Sequence, residues 1–196
     1  MIQRADLVTG DDGVARCGWV GADAQYERYH DEEWGHALHG DQKLFEKLSL
    51  EGFQAGLSWI SILRRRADFR IVFHDFDPAA VALLTPDDVE AMMLDQRIIR
   101  NRAKILATIK NAQVVIELTA DKPGALDELM WSFAPPPREL AVTTLAQIPA
   151  TTAESTAMSS VLRALGFGFV GPTTMYALMQ SSGMVDDHIR GCWRAA

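Results

Sequence analysis

The chain has 196 residues, 48% of them hydrophobic, which suffices for one well-formed core but not for two full domains. Its apolar stretches are much shorter than the roughly eighteen residues of a membrane span, and its N-terminus lacks the apolar core of a signal peptide, so we expect a cytoplasmic protein, and a monomer. The formal net charge of −7 argues against indiscriminate nucleic-acid binding, because affinity for phosphate rests on Lys and Arg.

The first predicted elements follow a polar N-terminal segment. Residues 1–14 are rich in Gly and Asp, and we expect them to form a flexible tail ahead of a single domain over residues 15–196. From Asp41 to Leu63 the apolar residues recur at helical spacing. This pattern predicts two consecutive helices, or one helix with a kink at Gly52.

The remaining sequence contains further helix signals. Asp77-Pro78 and Thr85-Pro86 each place an N-cap residue before proline at the first helical position. Apolar residues recur at helical spacing in the segments 97–118, 127–133 and 154–165. Sustained period-two alternation, the pattern of a half-buried strand, is missing from the sequence, so we predict an all-α domain.

A glycine-rich segment near the C-terminus separates two predicted helices. Residues 166–174 read Gly-Phe-Gly-Phe-Val-Gly-Pro-Thr-Thr, between a helix that ends at Leu165 and one that begins at Pro172. Glycine lets a backbone approach phosphate closely, and the free N–H groups and Thr hydroxyls of the second helix are donors. The segment is therefore a candidate DNA anchor, beside the alternative of a loop that only restarts a helix. The expected DNA contacts are Gly168, Gly171, Thr173 and Thr174.

Four possible metal ligands lie near the two ends of the chain. They are Cys17, His30, His188 and Cys192, and the two cysteines are the only ones in the sequence. If the last segment is helical, a spacing of four places His188 and Cys192 on one face, as adjacent ligands of a tetrahedral zinc ion require. Two Cys and two His would form a closed, structural site. The alternative is two inert thiols and two unrelated histidines.

One carboxylate, Glu51, lies in the apolar segment 50–59. Helical spacing places four residues on roughly one face, namely Glu51, Ala55, Ser58 and Trp59. A flat, electron-poor ring could stack on the indole while the carboxylate accepts hydrogen bonds from its edge. Burial would raise the pKa of Glu51, whereas a cationic ligand would lower it. The alternative is a surface Glu beside a core Trp.

Together these features resemble the 3-methyladenine DNA glycosylase I family, the constitutive alkyladenine glycosylases of bacteria. The resemblance covers nearly the whole chain and rests on several segments in the same order. These are Arg16-Cys17-Gly18-Trp19-Val20, Tyr29-His30-Asp31-Glu32-Glu33-Trp34-Gly35, residues 50–59, Phe76-Asp77-Pro78, Ile98-Ile99-Arg100, Phe169-Val170-Gly171 and Asp187-His188.

The resemblance implies a helix-hairpin-helix glycosylase fold whose two ends are joined by one structural Zn²⁺ ion. Other helix-hairpin-helix glycosylases have a catalytic Asp after the hairpin, and this family lacks that arrangement. We therefore interpret Asp187 as support for the adjacent zinc ligand, while Asp186 stands where the family leads us to expect Asn. The implied zinc ligands are Cys17, His30, His188 and Cys192.

The resemblance also implies a substrate site and a reaction. Glu51 would be the catalytic carboxylate, Tyr29 a second hydrogen-bonding group and Trp59 the stacking partner, with Trp19 and Trp34 nearby. We expect hydrolysis of the N-glycosidic bond of 3-methyladenine in double-stranded DNA. The product would be an abasic site without strand cleavage, since no lysine is indicated as a Schiff-base nucleophile.

Two other classes of protein remain open at this point. One is a helical module, held together by zinc, that binds DNA without excising a base, and it would not need Glu51. The other is a zinc hydrolase, which requires an open metal position and a general base. Four protein ligands argue against it.

Overall fold

The computed structural model describes residues 5–195, which form a mostly helical domain with one small hairpin of two strands. The strands are β1 (Leu7–Thr9) and β2 (Ala15–Cys17), which pair antiparallel. The helices are α1 (Ala24–Glu32), α2 (Asp41–Gln54), α3 (Trp59–Leu63), α4 (Arg66–Val72), α5 (Pro78–Ala82), α6 (Pro86–Leu94), α7 (Arg102–Thr119), α8 (Ala125–Trp131), α9 (Ala153–Ala164) and α10 (Pro172–Ser181). Single 3-10 turns lie at His74–Phe76 and Leu145–Gln147.

The helix starts predicted at the two Asp/Thr-Pro pairs are confirmed. The Asp77 carboxylate accepts the Ala79 N–H at 3.1 Å at the start of α5. At the start of α6, Thr85 and Asp88 accept each other's backbone N–H groups, which is a capping box. Short polar side chains satisfy the first N–H groups of a helix, which have no partner inside it.

Helix α2 is the centre of the core and packs against α10, α7, α3 and α8. It continues through Gly52 without a break and ends at Gln54, so the prediction of two helices is confirmed and the kink is absent. Ala55 has non-helical dihedral angles, and Gly56 has a φ of +82°. The expectation that Ala55 and Ser58 share a helical face with Glu51 is therefore wrong, because the chain turns before α3 begins.

The N-terminal segment is not a loose tail over its described part. Pairing of β1 with β2 aligns Leu7 with Cys17, and Leu7 packs against the core. Arg16 is 5% exposed and donates to both Asp12 and Asp31 at 2.7 Å. The strands are three residues long, too short for alternation to be visible in the sequence. Residues 1–4 of the expected tail lie outside the described range.

The chain after α10 has no regular helix in its described part, up to residue 195. The helical argument for His188 and Cys192 is therefore wrong, although both residues are buried. This final segment returns to the N-terminal hairpin, where the Trp193 N–H donates to the Ala15 carbonyl at 2.9 Å. Within residues 5–195, none of the helices has the length and apolar character needed to cross a membrane.

Candidate functional site

A cavity of about 180 Å³ lies where α1, α2, α3 and α10 meet. For comparison, a cavity of roughly 150 Å³ holds one benzene ring, so this one accepts a small planar ring system. Its walls are mainly aromatic, with a few polar groups that converge on it. The lining residues are Trp19, Tyr26, Tyr29, Trp34, Glu51, Gln54, Trp59, Ile148, Ala177, Gln180 and Ser181.

Glu51 is the carboxylate of this cavity and is only 3% exposed. The Ser181 hydroxyl donates to its Oε1 at 2.9 Å, while its Oε2 is buried and has no hydrogen-bond partner among the described residues. Burial raises the pKa of Glu51 to about 7, against the opposing effects of Lys47 and Ser181. An unsatisfied buried acceptor is costly, so Oε2 is available for a donor on a ligand.

The aromatic walls offer flat faces and two donors. The rings of Tyr29 and Trp59 lie 5.5 Å apart between centroids, and Trp19 lies 5.1 Å from both Tyr26 and Trp34. Burial and the charge of Glu51 raise the pKa of Tyr29 well above its ordinary value, so its hydroxyl remains a donor. Trp59 Nε1 is buried without a partner among residues 5–195. The pocket can therefore stack a flat ring and hydrogen-bond its edge.

A group of possible metal ligands lies beside this cavity. Ligand atoms of Cys17, His30 and Cys192 all lie within 4.8 Å of one another, and all three residues are buried. Cys192 Sγ is 3.4 Å from His30 Nε2. Hydrogen bonds from Cys17 and His30 lower the pKa of Cys192, which favours the thiolate that binds metals.

His188 lies against this group of three ligands. Its ring centroid is 5.2 Å from that of His30, and its Nε2 is buried without a partner in the described structure. The Nδ1 atom of each histidine contacts a carboxylate oxygen. His30 Nδ1 is 2.8 Å from Asp31, and His188 Nδ1 is 2.7 Å from Asp186. A carboxylate on Nδ1 leaves Nε2 for a metal, which is the usual arrangement around zinc-bound histidine. The donor set therefore fits a metal ion.

The carboxylate that contacts His188 is Asp186, so the sequence-based assignment of this role to Asp187 is wrong. Asp187 is buried and accepts hydrogen bonds from the Tyr176 hydroxyl at 2.6 Å and from Gln180 at 2.8 Å. It therefore fixes α10 and the pocket residue Gln180. The adjacent carboxylates differ because Asp186 points to His188 while Asp187 points back to α10.

The glycine-rich hairpin connects α9 to α10 as predicted. The Asn111 side chain accepts the Gly168 N–H at 2.7 Å and donates to the Gly168 carbonyl at 3.1 Å, so α7 holds the turn. A side chain at Gly168 would meet Ala107 at 3.1 Å, which explains the glycine there. Gly171 is the N-cap of α10, and Thr173 in its first turn is exposed. The first N–H groups of this helix can reach a ligand.

Comparison with known proteins decides the family. The sequence profile of the family described as methyladenine glycosylase matches residues 19–195. The chain belongs to this family. It is 46% identical over 180 residues to DNA-3-methyladenine glycosylase 1 of Escherichia coli K12, covering 91% of this chain and 96% of that protein.

Solved structures of the family agree with the fold. A crystal structure of 3-methyladenine DNA glycosylase I has a TM-score of 0.88 and 42% identity, covering 92% of this chain and all of that one. A variant of such an enzyme in complex with 3-methyladenine has a TM-score of 0.84 and 29% identity, covering 91% of this chain and 96% of that one. The expected resemblance to 3-methyladenine DNA glycosylase I is thus confirmed.

The structure brings the predicted pocket residues together and adds others. Glu51, Tyr29, Trp59, Trp19 and Trp34 all line the one cavity, and the metal-ligand group lies beside it. The sequence did not predict the residues of α10 and α2 that lie at or beside this cavity, because only the packing of the helices brings them there. These are Ser181, Gln180, Gln54 and Lys47.

Proposed function

We propose that this methyladenine glycosylase excises 3-methyladenine from alkylated double-stranded DNA by hydrolysis of the N-glycosidic bond. The observation that carries the proposal is the pocket of aromatic rings around Glu51, whose Oε2 has no partner among the described residues. A named relative at 46% identity and a related structure in complex with 3-methyladenine support it.

The residues of the pocket suggest how excision proceeds. The damaged nucleotide leaves the stack, at a cost of a few kcal/mol that is smallest for a damaged base. Trp59 stacks on the base while Glu51 and the Tyr29 hydroxyl hydrogen-bond its edge. Methylation at N3 gives the base a positive charge, which the Glu51 carboxylate complements.

The chemical step needs little help once the base is bound. The bond between the sugar C1′ and the base nitrogen breaks, and its electron pair leaves with the base, which becomes neutral. Water adds to C1′ and loses a proton, and the product is an abasic site. Lysine is absent among the side chains that line the described cavity, so no amine is placed for a Schiff base and strand cleavage.

We infer that one Zn²⁺ ion is held by Cys17, His30, His188 and Cys192. The ligand atoms of Cys17, His30 and Cys192 lie within 4.8 Å of one another. The His188 ring lies beside that of His30, and its Nε2 has no partner among the described residues. Four protein ligands close the coordination shell, so the ion would stabilise the fold and not activate water. It would join the N-terminal hairpin to the C-terminal segment.

We also propose that α9, the hairpin and α10 form the helix-hairpin-helix element that holds DNA. Backbone donors at Gly168 and Gly171 and the hydroxyls of Thr173 and Thr174 would contact phosphate. Such contacts position a duplex without reading its sequence. Because the net charge is −7, binding must depend on this local surface and not on the charge of the whole protein.

The decisive experiment is excision from methylated duplex DNA. We expect chromatography to detect free 3-methyladenine, and we expect strand breaks only after alkali cleaves the abasic sites. Glu117→Gln is the matched control for Glu51→Gln, because Glu117 is an exposed carboxylate on α7 that does not line the cavity. Binding of methylated DNA without base release would favour the non-enzymatic module and overturn the proposal.

A further inference from the structure

Lys47 is a buried lysine directly behind the aromatic pocket. It is 8% exposed, and its Nζ lies 5.3 Å from the ring centroids of both Tyr29 and Trp59. An ammonium at this distance over two rings is held by cation–π attraction. Among residues 5–195 it makes no hydrogen bond or ion pair with an oxygen, so the rings are its main contacts.

Lys47 and Glu51 lie on successive turns of α2. A spacing of four residues places them on one face of the helix, so the charge of Lys47 acts on the carboxylate of Glu51. Lys47 does not itself line the 180 Å³ cavity. It therefore acts on the pocket through Glu51 and the two rings, without touching a bound base.

A second cavity, of about 350 Å³, lies behind Lys47 and is lined in part by Glu33, Glu46 and Arg66. Ser181 borders both cavities. Since a water molecule takes up about 30 Å³ in the liquid, this space is large enough for water to reach the ammonium.

Carboxylates around Lys47 oppose the effect of its burial. The pKa of Lys47 is lowered, chiefly by burial and in smaller part by Arg66, while the charges of Glu51, Glu33 and Glu46 act in the opposite direction. Arg66 is itself paired with Glu33. The charges of three carboxylates thus help to keep the buried amine protonated.

We propose that Lys47 is a positioning residue that keeps Glu51 ionised and thereby sets the lower pH limit of base excision. The inference rests on the proposed role of Glu51. Burial among aromatic rings favours the neutral form of a carboxylic acid. A neutral acid has no charge to attract a cationic base, and it is a weaker hydrogen-bond acceptor than a carboxylate. The Lys47 charge opposes that tendency in the free enzyme.

The same charge has an opposite effect on the substrate. Because protonated Lys47 is a cation near the pocket, it repels the cationic methylated base. Removing the charge should therefore slow excision where Glu51 becomes protonated, and it should preserve or raise the rate where Glu51 is ionised in both proteins. A packing defect would lower the rate at all pH values.

The test compares Lys47→Met with the parent enzyme in kcat/KM for 3-methyladenine release between pH 5 and 9. This parameter reports the pKa values of the free enzyme. We expect the midpoint of the acidic limb to rise by about one pH unit, with no loss on the alkaline plateau. Lys47→Gln provides a second neutral variant, and Lys43→Met is the control, since Lys43 is exposed one turn earlier on α2. An unchanged midpoint, or a uniform loss across the range, overturns the inference.

The double variant Glu51→Gln with Lys47→Met separates this inference from the role of Glu51. Without an ionisable group at position 51, the exchange at Lys47 should no longer shift the midpoint. If Glu51→Gln alone keeps the parental rate, the role of Glu51 is wrong. If Glu51→Gln is slow but Lys47→Met titrates like the parent, only the inference about Lys47 is wrong.

Discussion

Glu51→Gln changes one charge in the pocket and little else. Gln has nearly the same shape as Glu and can still accept the Ser181 hydroxyl, which donates to Oε1 at 2.9 Å. As the bond breaks, positive charge moves from the base to the sugar, and we expect Glu51 to stabilise this charge in the transition state. Two unit charges about 5 Å apart interact by about 3 kcal/mol at an effective dielectric constant of about 20. Since each factor of ten in rate takes about 1.4 kcal/mol, we expect excision to slow by roughly 10²-fold.

The assay is single-turnover release of 3-methyladenine at pH 8, with enzyme in excess. Because the pKa of Glu51 is about 7, this pH compares a mainly ionised carboxylate with a neutral amide. Affinity for undamaged duplex should be unchanged in the variant. Excision at the parental rate would show that stacking on Trp59 and the shape of the pocket carry the reaction, and would refute the electrostatic argument.

Three further outcomes are expected. Burial raises the pKa of Glu51 from 4.5 to about 7, so the contribution of this group to stability is lost as the pH rises through this range. At pH 8, Glu51→Gln should therefore be more stable than the parent by about 3 kcal/mol and melt at a higher temperature, whereas at pH 4 the two proteins should be equally stable. Calorimetry at the two pH values tests this. Cys17→Ala should remove the bound zinc in elemental analysis and lower the melting temperature by about 10 °C, and an unchanged melting temperature contradicts the metal site. Gly171→Leu should weaken duplex binding roughly tenfold with an unchanged circular dichroism spectrum, since the nearest atom to an added Cβ is Arg163 Nη2 at 3.6 Å; equal affinity removes the hairpin from the interface.

Local chemistry made much of the helical framework predictable. The caps at Asp77 and Thr85 depend on residues within three positions, so they can be read directly from the sequence. The helix predicted over 97–118 begins only at Arg102, because the Asn101 side chain accepts the Lys104 N–H and caps α7 there. Apolar periodicity alone does not show such a start.

The site residues that belong to a family motif could be predicted from the sequence. Those brought to the site by helices distant in the chain could not. Glu51 and Trp59 lie in one segment, and their joint presence in the cavity does not need the helical face that first suggested it. Ser181 lies 130 residues after Glu51, and no local pattern marks it. Lys47 interrupts the apolar face of α2, and a sequence pattern cannot distinguish a buried ammonium over two rings from a surface lysine.

The proposed metal site and the base pocket share a wall. The Trp34 ring, which lines the cavity, lies 4.6 Å from the His188 ring, and Trp19 lies 5.4 Å from His30. Any ion that fixes both histidines therefore also fixes two of the walls against which a base would lie. A closed shell of four ligands has no position for water, so its contribution to excision would be made through these contacts. Loss of such an ion would therefore affect excision through Trp19 and Trp34 and not through the chemical step itself.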